Sequence, residues 1–204
     1  MKGGFPGAAE IGAVYALLDE PPTSYDCGVL CRQRGGEPPC CSASEAVPSV
    51  FDWEWRYLEA RTRMWSRWKP PDAGRAGRFE GGGCDILVRC LGADRCERAY
   101  RSFCCRVFPL EPYVENDWKM TGLVFNTDFD TLCPLASRPR DLRPEFVRAC
   151  LRGWTWLLGV QEGELGIYRD WSQTQRRRAG RSGLPLMGFD REGRWVVLRP
   201  GAAR

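Results

Sequence analysis

Histidine is absent from all 204 residues, and lysine occurs only as Lys2, Lys69 and Lys119. Without imidazole there is no Ser-His-Asp or Cys-His nucleophilic centre. Any transition-metal site must then be built from sulfur, with carboxylates as the only other side-chain anions. No apolar run approaches the ~20 residues that cross a bilayer. The stretch from Met1 to Glu10 holds one lysine and no continuous apolar core, so it does not read as a secretory signal. We therefore expect a cytoplasmic protein with no membrane partner. A GxGxxG loop is missing, as are C-x2-C spacings and the C-x3-C-x2-C run of radical enzymes.

What the chain has is sulfur. Eleven cysteines occur, and nine of them fall between Cys27 and Cys105. In a reducing cytosol thiols stay reduced, and clustered cysteines bind metal more often than they pair as disulfides. The formal charge of +4 treats every one of them as a neutral thiol, so it does not argue for a nucleic-acid partner.

Local patterns predict an α+β fold: a small antiparallel sheet with packed helices and cysteine-rich loops. Ile11–Asp19 reads as one or two helical turns, stopped by Pro21-Pro22. Thr23–Ser42 is turn-rich. Ala46–Phe51 is β-prone, and Asp52 can cap a helix running to about Trp68, with Trp55, Leu58, Thr62 and Trp65 at helical spacing. Asp72–Gly83 reads as a mobile glycine-rich loop. Asp85–Leu91, Val107–Val114 and Met120–Phe125 read as strands, the last two joined by a turn at Glu115-Asn116-Asp117. Pro144 starts a helix to about Leu158 whose inner face carries Phe146, Cys150 and Trp154. Gln173–Gly183 reads as an exposed basic loop, and Gly188–Leu198 as a peripheral hairpin turning at Glu192-Gly193. This gives a cysteine-cluster domain over residues 1–160 and an appendage over 161–204.

Cys27-x3-Cys31 is followed by the vicinal pair Cys40-Cys41, then by Cys90-x5-Cys96-x8-Cys105 and Cys133. Ligands close in sequence converge at small entropic cost. Adjacent cysteines generally point apart, so Cys40-Cys41 contributes one ligand or reaches two metals. Cys150, on a core-facing helical position, reads as a small buried hydrophobe. Cys84 and Cys104 stay unassigned.

The order C-x3-C…CC…C-x5-C…CR-x-FP resembles the YkgJ-type cysteine-cluster family of zinc- or iron-chelating domains. Cys27, Cys31, Cys40-Cys41, Cys90, Cys96 and Cys105-Arg106-Val107-Phe108-Pro109 carry the resemblance, and Cys133-Pro134 fits a later family cysteine. The resemblance implies a metal site of Cys27, Cys31, Cys40, Cys41, Cys90, Cys96, Cys105 and Cys133. Eight thiolates suit two zinc sites, or one or two iron–sulfur clusters. Arg106, next to Cys105, is the candidate for binding an anionic cofactor or neutralising thiolate charge.

Two other functions compete with plain metal binding. A redox or transferase enzyme could use the cluster or a reactive thiolate, with Asp128 and Asp130 near Cys133 moving protons. Its catalytic residues are otherwise unassigned. A nucleic-acid-binding module could use Arg176, Arg177, Arg178 and Arg181 on phosphate, with Trp171 stacking on bases.

Overall fold

The computed structural model describes residues 5–42, 47–69, 86–161 and 163–198. The expected glycine-rich loop over Asp72–Gly83 and the unassigned Cys84 lie outside them. The fold is α+β, with helices and two small antiparallel sheets where one was expected. The chain forms two compact units, Met1–Asp19 with Asp26–Phe108, and Glu20–Tyr25 with Pro109–Arg204. The division thus falls at Phe108/Pro109 rather than near residue 160.

In the first unit, α1 (Ala8–Leu17) turns Ile11, Val14 and Tyr15 inward. The short helix α2 (Gly28–Gln33) lies inside the segment read as turns. Strand β1 (Ser49–Val50) leads into α3 (Asp52–Glu59). Phe51 is the N-cap, and Asp52 sits in the first turn, where its carboxylate pairs with Arg56 at 2.7 Å and complements the helix dipole.

The helix does not continue to Trp68. It ends at Glu59, and Trp65–Arg67 form strand β2. β2 pairs antiparallel with β3 (Ile86–Cys90), and β1 flanks β3 on its other side. Trp65 occupies a helical repeat position in the sequence, but it is buried by pairing opposite Cys90 and by donating its indole N–H to the Tyr100 carbonyl at 2.7 Å. Tertiary pairing overrides the local period. The unit closes with α4 (Phe103–Val107), which packs on β1.

The second unit is built on strands β4 (Leu110–Val114), β5 (Met120–Phe125), β6 (Met187–Asp190) and β7 (Trp195–Val197), in that spatial order and antiparallel throughout. The C-terminal hairpin is therefore not peripheral: Gly122 pairs with Asp190 and Leu123 with Phe189. A Cβ on Gly122 would lie 2.1 Å from the Phe189 carbonyl oxygen, so the strand crossing needs glycine there. Helix α5 (Pro144–Val160) has Pro144 in its first turn and buries Phe146, Cys150 and Trp154 as the spacing predicts, together with Leu157. The Trp154 indole donates to the Leu110 carbonyl at 3.0 Å.

The basic segment expected as a loop is part of α6 (Glu164–Ser182), capped by Gly183 at φ 68°. Arginine and glutamine are good helix formers, and Trp171 packs against Tyr113, Val124 and Leu198. Register slips between Tyr113 and Val114, and the Ser172 hydroxyl accepts the Val114 N–H at 3.0 Å. Ser172 is fully buried, so Ser172→Ala leaves a bulge N–H with no acceptor. We expect a loss of about 1–2 kcal/mol, read by urea unfolding. An unchanged midpoint would mean that water reaches the bulge.

Candidate metal centre

Among the described residues, five segments of the first unit carry cysteines. Cys27 and Cys31 lie one helical turn apart at the start and middle of α2, so they share a face. Cys40 and Cys41 occupy a 3-10 turn that follows Pro38. Cys90 ends β3 and receives the Gly92 N–H at 3.4 Å. Cys96 closes the 3-10 turn Ala93–Arg95. Cys104 and Cys105 lie in α4. The ten described cysteines carry free thiols.

The vicinal pair does not point apart. Its sulfurs stand 3.9 Å from each other, close to the ~3.8 Å edge of a sulfur tetrahedron with 2.3 Å zinc–sulfur bonds. The Cys40–Cys41 hydrogen bond splits the two thiols: it holds Cys40 protonated, with burial adding to the effect, and lowers Cys41 to about 7. Cys104 and Cys105 behave alike. The hydrogen bond between them raises Cys104 and lowers Cys105, the latter against the opposing effect of burial.

The thiols also feel one another's charge. Cys40 is raised further by Cys41, Cys105 and Cys27. Cys90 is raised first by burial and then by Cys105, Cys41 and Cys96. Burial raises Cys31, with Cys41 contributing. Seven of the eight cysteines singled out in the sequence therefore share one electrostatic neighbourhood, with Cys41 and Cys105 at its centre. Among the described residues, however, no three His, Cys, Asp or Glu side chains stand close enough to hold an ion as they are placed. The donor chemistry fits a thiolate-bound metal or cluster, and ligation would require the loops to contract.

The eighth, Cys133, belongs to the second unit and is buried there. Cys104 faces the scaffold, bonding the Ser102 hydroxyl at 3.1 Å and the Ser49 carbonyl at 3.7 Å. Cys150 is buried in α5. Asp128 and Asp130 are exposed.

Arg106 does not serve as an anion receptor. It is 4 % exposed, and its guanidinium donates to four carbonyls: Arg101 at 2.9 Å, Tyr15 at 3.1 Å, Arg98 at 3.2 Å and Ala99 at 2.7 Å. It also stacks on the Tyr15 ring at 4.2 Å. Burial lowers its pKa, opposed by Tyr15 and Asp19. Beside it lies a second buried group, Glu54, which accepts from the Tyr15 hydroxyl and from the Phe103 N–H, the latter at 2.6 Å. Burial raises its carboxyl, and a further hydrogen bond from the Phe51 backbone stabilises the charged form, in the manner of a capping-box glutamate.

A cation hydrogen-bonded to a cluster sulfur is Arg101. Its Nε donates to the Cys96 sulfur at 3.0 Å. Burial disfavours its charge, but Cys96, Cys105 and Cys41 outweigh burial and raise its pKa. Sequence reading chose Arg106 because it adjoins Cys105; Arg101 lies five residues beyond Cys96, where no motif marks it.

The arginines of the basic helix do not all project to solvent. Arg176 bonds the Val114 carbonyl at 3.1 Å and Asn116 at 2.8 Å, and Trp171 packs on the sheet core. Arg178 bonds Thr127 at 3.2 Å, while Arg177 and Arg181 are exposed, with Arg181 Nε donating to the Arg177 carbonyl at 3.4 Å. Among the described residues no helix is long and apolar enough to cross a membrane.

Compared with protein-family models, curated proteins and solved structures, the chain matches none.

Proposed function

We propose that the chain is a metal-binding cysteine-cluster protein of the YkgJ type, holding zinc or an iron–sulfur cluster through thiolates of its first unit. The observation that supports this reading is the pairing of the Cys40 and Cys41 sulfurs at 3.9 Å, within a set of thiols from five segments (Cys27, Cys31, Cys40, Cys41, Cys90, Cys96 and Cys105) that influence one another electrostatically. Buried hydrophobic cysteines would not need to gather around a guanidinium. Cys133 completes the family set by resemblance alone. A thiolate site requires reduced cysteines, which is consistent with a cytoplasmic protein. A bound metal would supply either a fixed structural crosslink or an electron-transfer centre; the chain's own residues would hold its ligands.

The test is anaerobic purification with metal analysis and a visible spectrum. Zinc in colourless protein identifies a thiolate zinc site. Iron with acid-labile sulfide in brown protein identifies a cluster. Cys41→Ser and Cys105→Ser are expected to lose most of the metal, because both thiols sit at the centre. Cys104→Ser is expected to retain it, because that sulfur is turned to Ser49 and Ser102. Metal-free wild-type protein whose unfolding ignores chelator would end this reading.

A further inference from the structure

Resting on the metal-binding reading, we propose that Arg101 is a positioning residue of the thiol cluster: it orients the Cys96 sulfur for ligation and remains its hydrogen-bond donor once a metal is bound. The geometry is specific. The Nε–Sγ distance of 3.0 Å is short for a hydrogen bond to sulfur, and Nε donates from the rigid plane of the guanidinium.

Residues 98–101 form one 3-10 turn and its C-cap, and every carbonyl in the run is held. Arg106 bonds those of Arg98, Ala99 and Arg101, and the Trp65 indole bonds that of Tyr100. The Glu97 N–H meets the Met64 sulfur at 3.2 Å. The loop that joins Cys96 to Arg101 is thus clamped to the core of its unit, and the side-chain bond closes it into a ring.

Two neighbouring arginines hold acceptors outside the cluster and a third is buried, while Arg34 and Arg32 act on Cys31 by charge. Arg98 bonds the Asp19 carbonyl at 3.1 Å, Arg32 bonds Asp26 at 2.6 Å, and Arg106 is buried under its carbonyls. Groups that hydrogen-bond a ligand atom orient it and tune its basicity. Removing one typically weakens metal binding by about 10- to 100-fold.

The experiment titrates the metal-free full chain with cobalt(II), without oxygen, and competes it with zinc. The proteins are wild type, Arg101→Gln and Arg101→Lys. The glutamine variant is expected to keep the wild-type stoichiometry and thiolate-to-cobalt charge-transfer band, and to bind about 10- to 100-fold more weakly. Lysine keeps the charge without the planar fork and is expected to fall between. Thermal unfolding of the metal-free variants is expected to match wild type; this separates positioning from scaffolding. Wild-type affinity in both variants overturns the proposal. So does a lower metal-free midpoint with lost stoichiometry in both, since that marks a structural role. Wild type that takes up no cobalt defeats the metal reading itself, and the inference falls with it.

Discussion

Replacing Arg106 with methionine is expected to destabilise the first unit by about 4 kcal/mol, the sum of several buried acceptors losing their donor. Four carbonyls lose a charge-assisted bond at once. One of them, Tyr15, lies in the last turn of α1, where carbonyls have no helical partner and a cation is favoured. The methionine chain replaces the volume and part of the Tyr15 ring contact, so the loss reports polar bonding more than a cavity. Arg106→Lys is expected to cost about 3 kcal/mol, because a single ammonium cannot span a fork of carbonyls. Arg98→Ala, on a half-exposed side chain paired with Asp19 at 3.2 Å, serves as the control at under about 1 kcal/mol. Urea unfolding, with amide exchange of residues 98–101 as the local probe, measures all three. A cost for Arg106→Met no larger than for Arg98→Ala would remove Arg106 from the scaffold.

The consequence reaches the cluster. Arg106 carries no ligand-facing group, yet it anchors the backbone on which Arg101 stands. On the proposed metal-binding reading, its loss should loosen Cys96 and lower cobalt affinity together with stability, whereas Arg101→Gln should lower affinity alone. The pair of variants therefore distinguishes what holds the loop from what holds the sulfur.

Sequence reading reaches the elements whose signals are local. Pro144 and the Phe146–Cys150–Trp154 stripe define α5, and alternating apolar residues define β3 and β5. It misses the strand at Trp65–Arg67, because a tryptophan repeat at helical spacing cannot announce that β3 will pair with it. It misses α6 because a polar run reads as a loop, although Trp171 and Gln175 lie one turn apart on a face that is buried or packed. At the site, the cysteines were legible by type and density. Their roles were not: the 3-10 turn after Pro38 brings Cys40 and Cys41 sulfurs together, and only the fold turns Cys104 toward Ser49. The choice between Arg101 and Arg106 depends on which side of α4 meets the core, a fact that adjacency in sequence does not carry.

The second unit should lose stability as pH rises from about 4.5 to about 7, and Glu111→Gln should abolish that loss. Glu111 sits on β4, where burial raises its carboxyl from 4.5 to about 7. The hydrogen bonds from the Tyr168 hydroxyl at 2.9 Å and the Asn126 amide at 3.0 Å oppose the rise without cancelling it. The other ionisable groups acting on it are Asp128 and Glu164, which both raise it, and Cys150 feels its charge in turn. Because the folded carboxyl binds its proton more tightly than the unfolded one, the native state carries the extra proton between the two values, and stability falls as pH rises through that window. The stabilisation is complete below about 4.5 and gone above about 7. A shift of this size corresponds to about 3 kcal/mol; solvent at the exposed rim of the residue brings the expected change to about 2 kcal/mol. Glutamine keeps the shape and both hydrogen-bonding functions of the neutral acid, so Glu111→Gln should be more stable than wild type at pH 8 and level with it at pH 4.5. Urea midpoints across that range, followed by exchange of the β4 and β5 amides, measure the difference. A wild-type profile that is flat, or that rises between pH 5 and 7 in the same amides, would show that Glu111 is ionised in the native state and that Tyr168 and Asn126 outweigh burial.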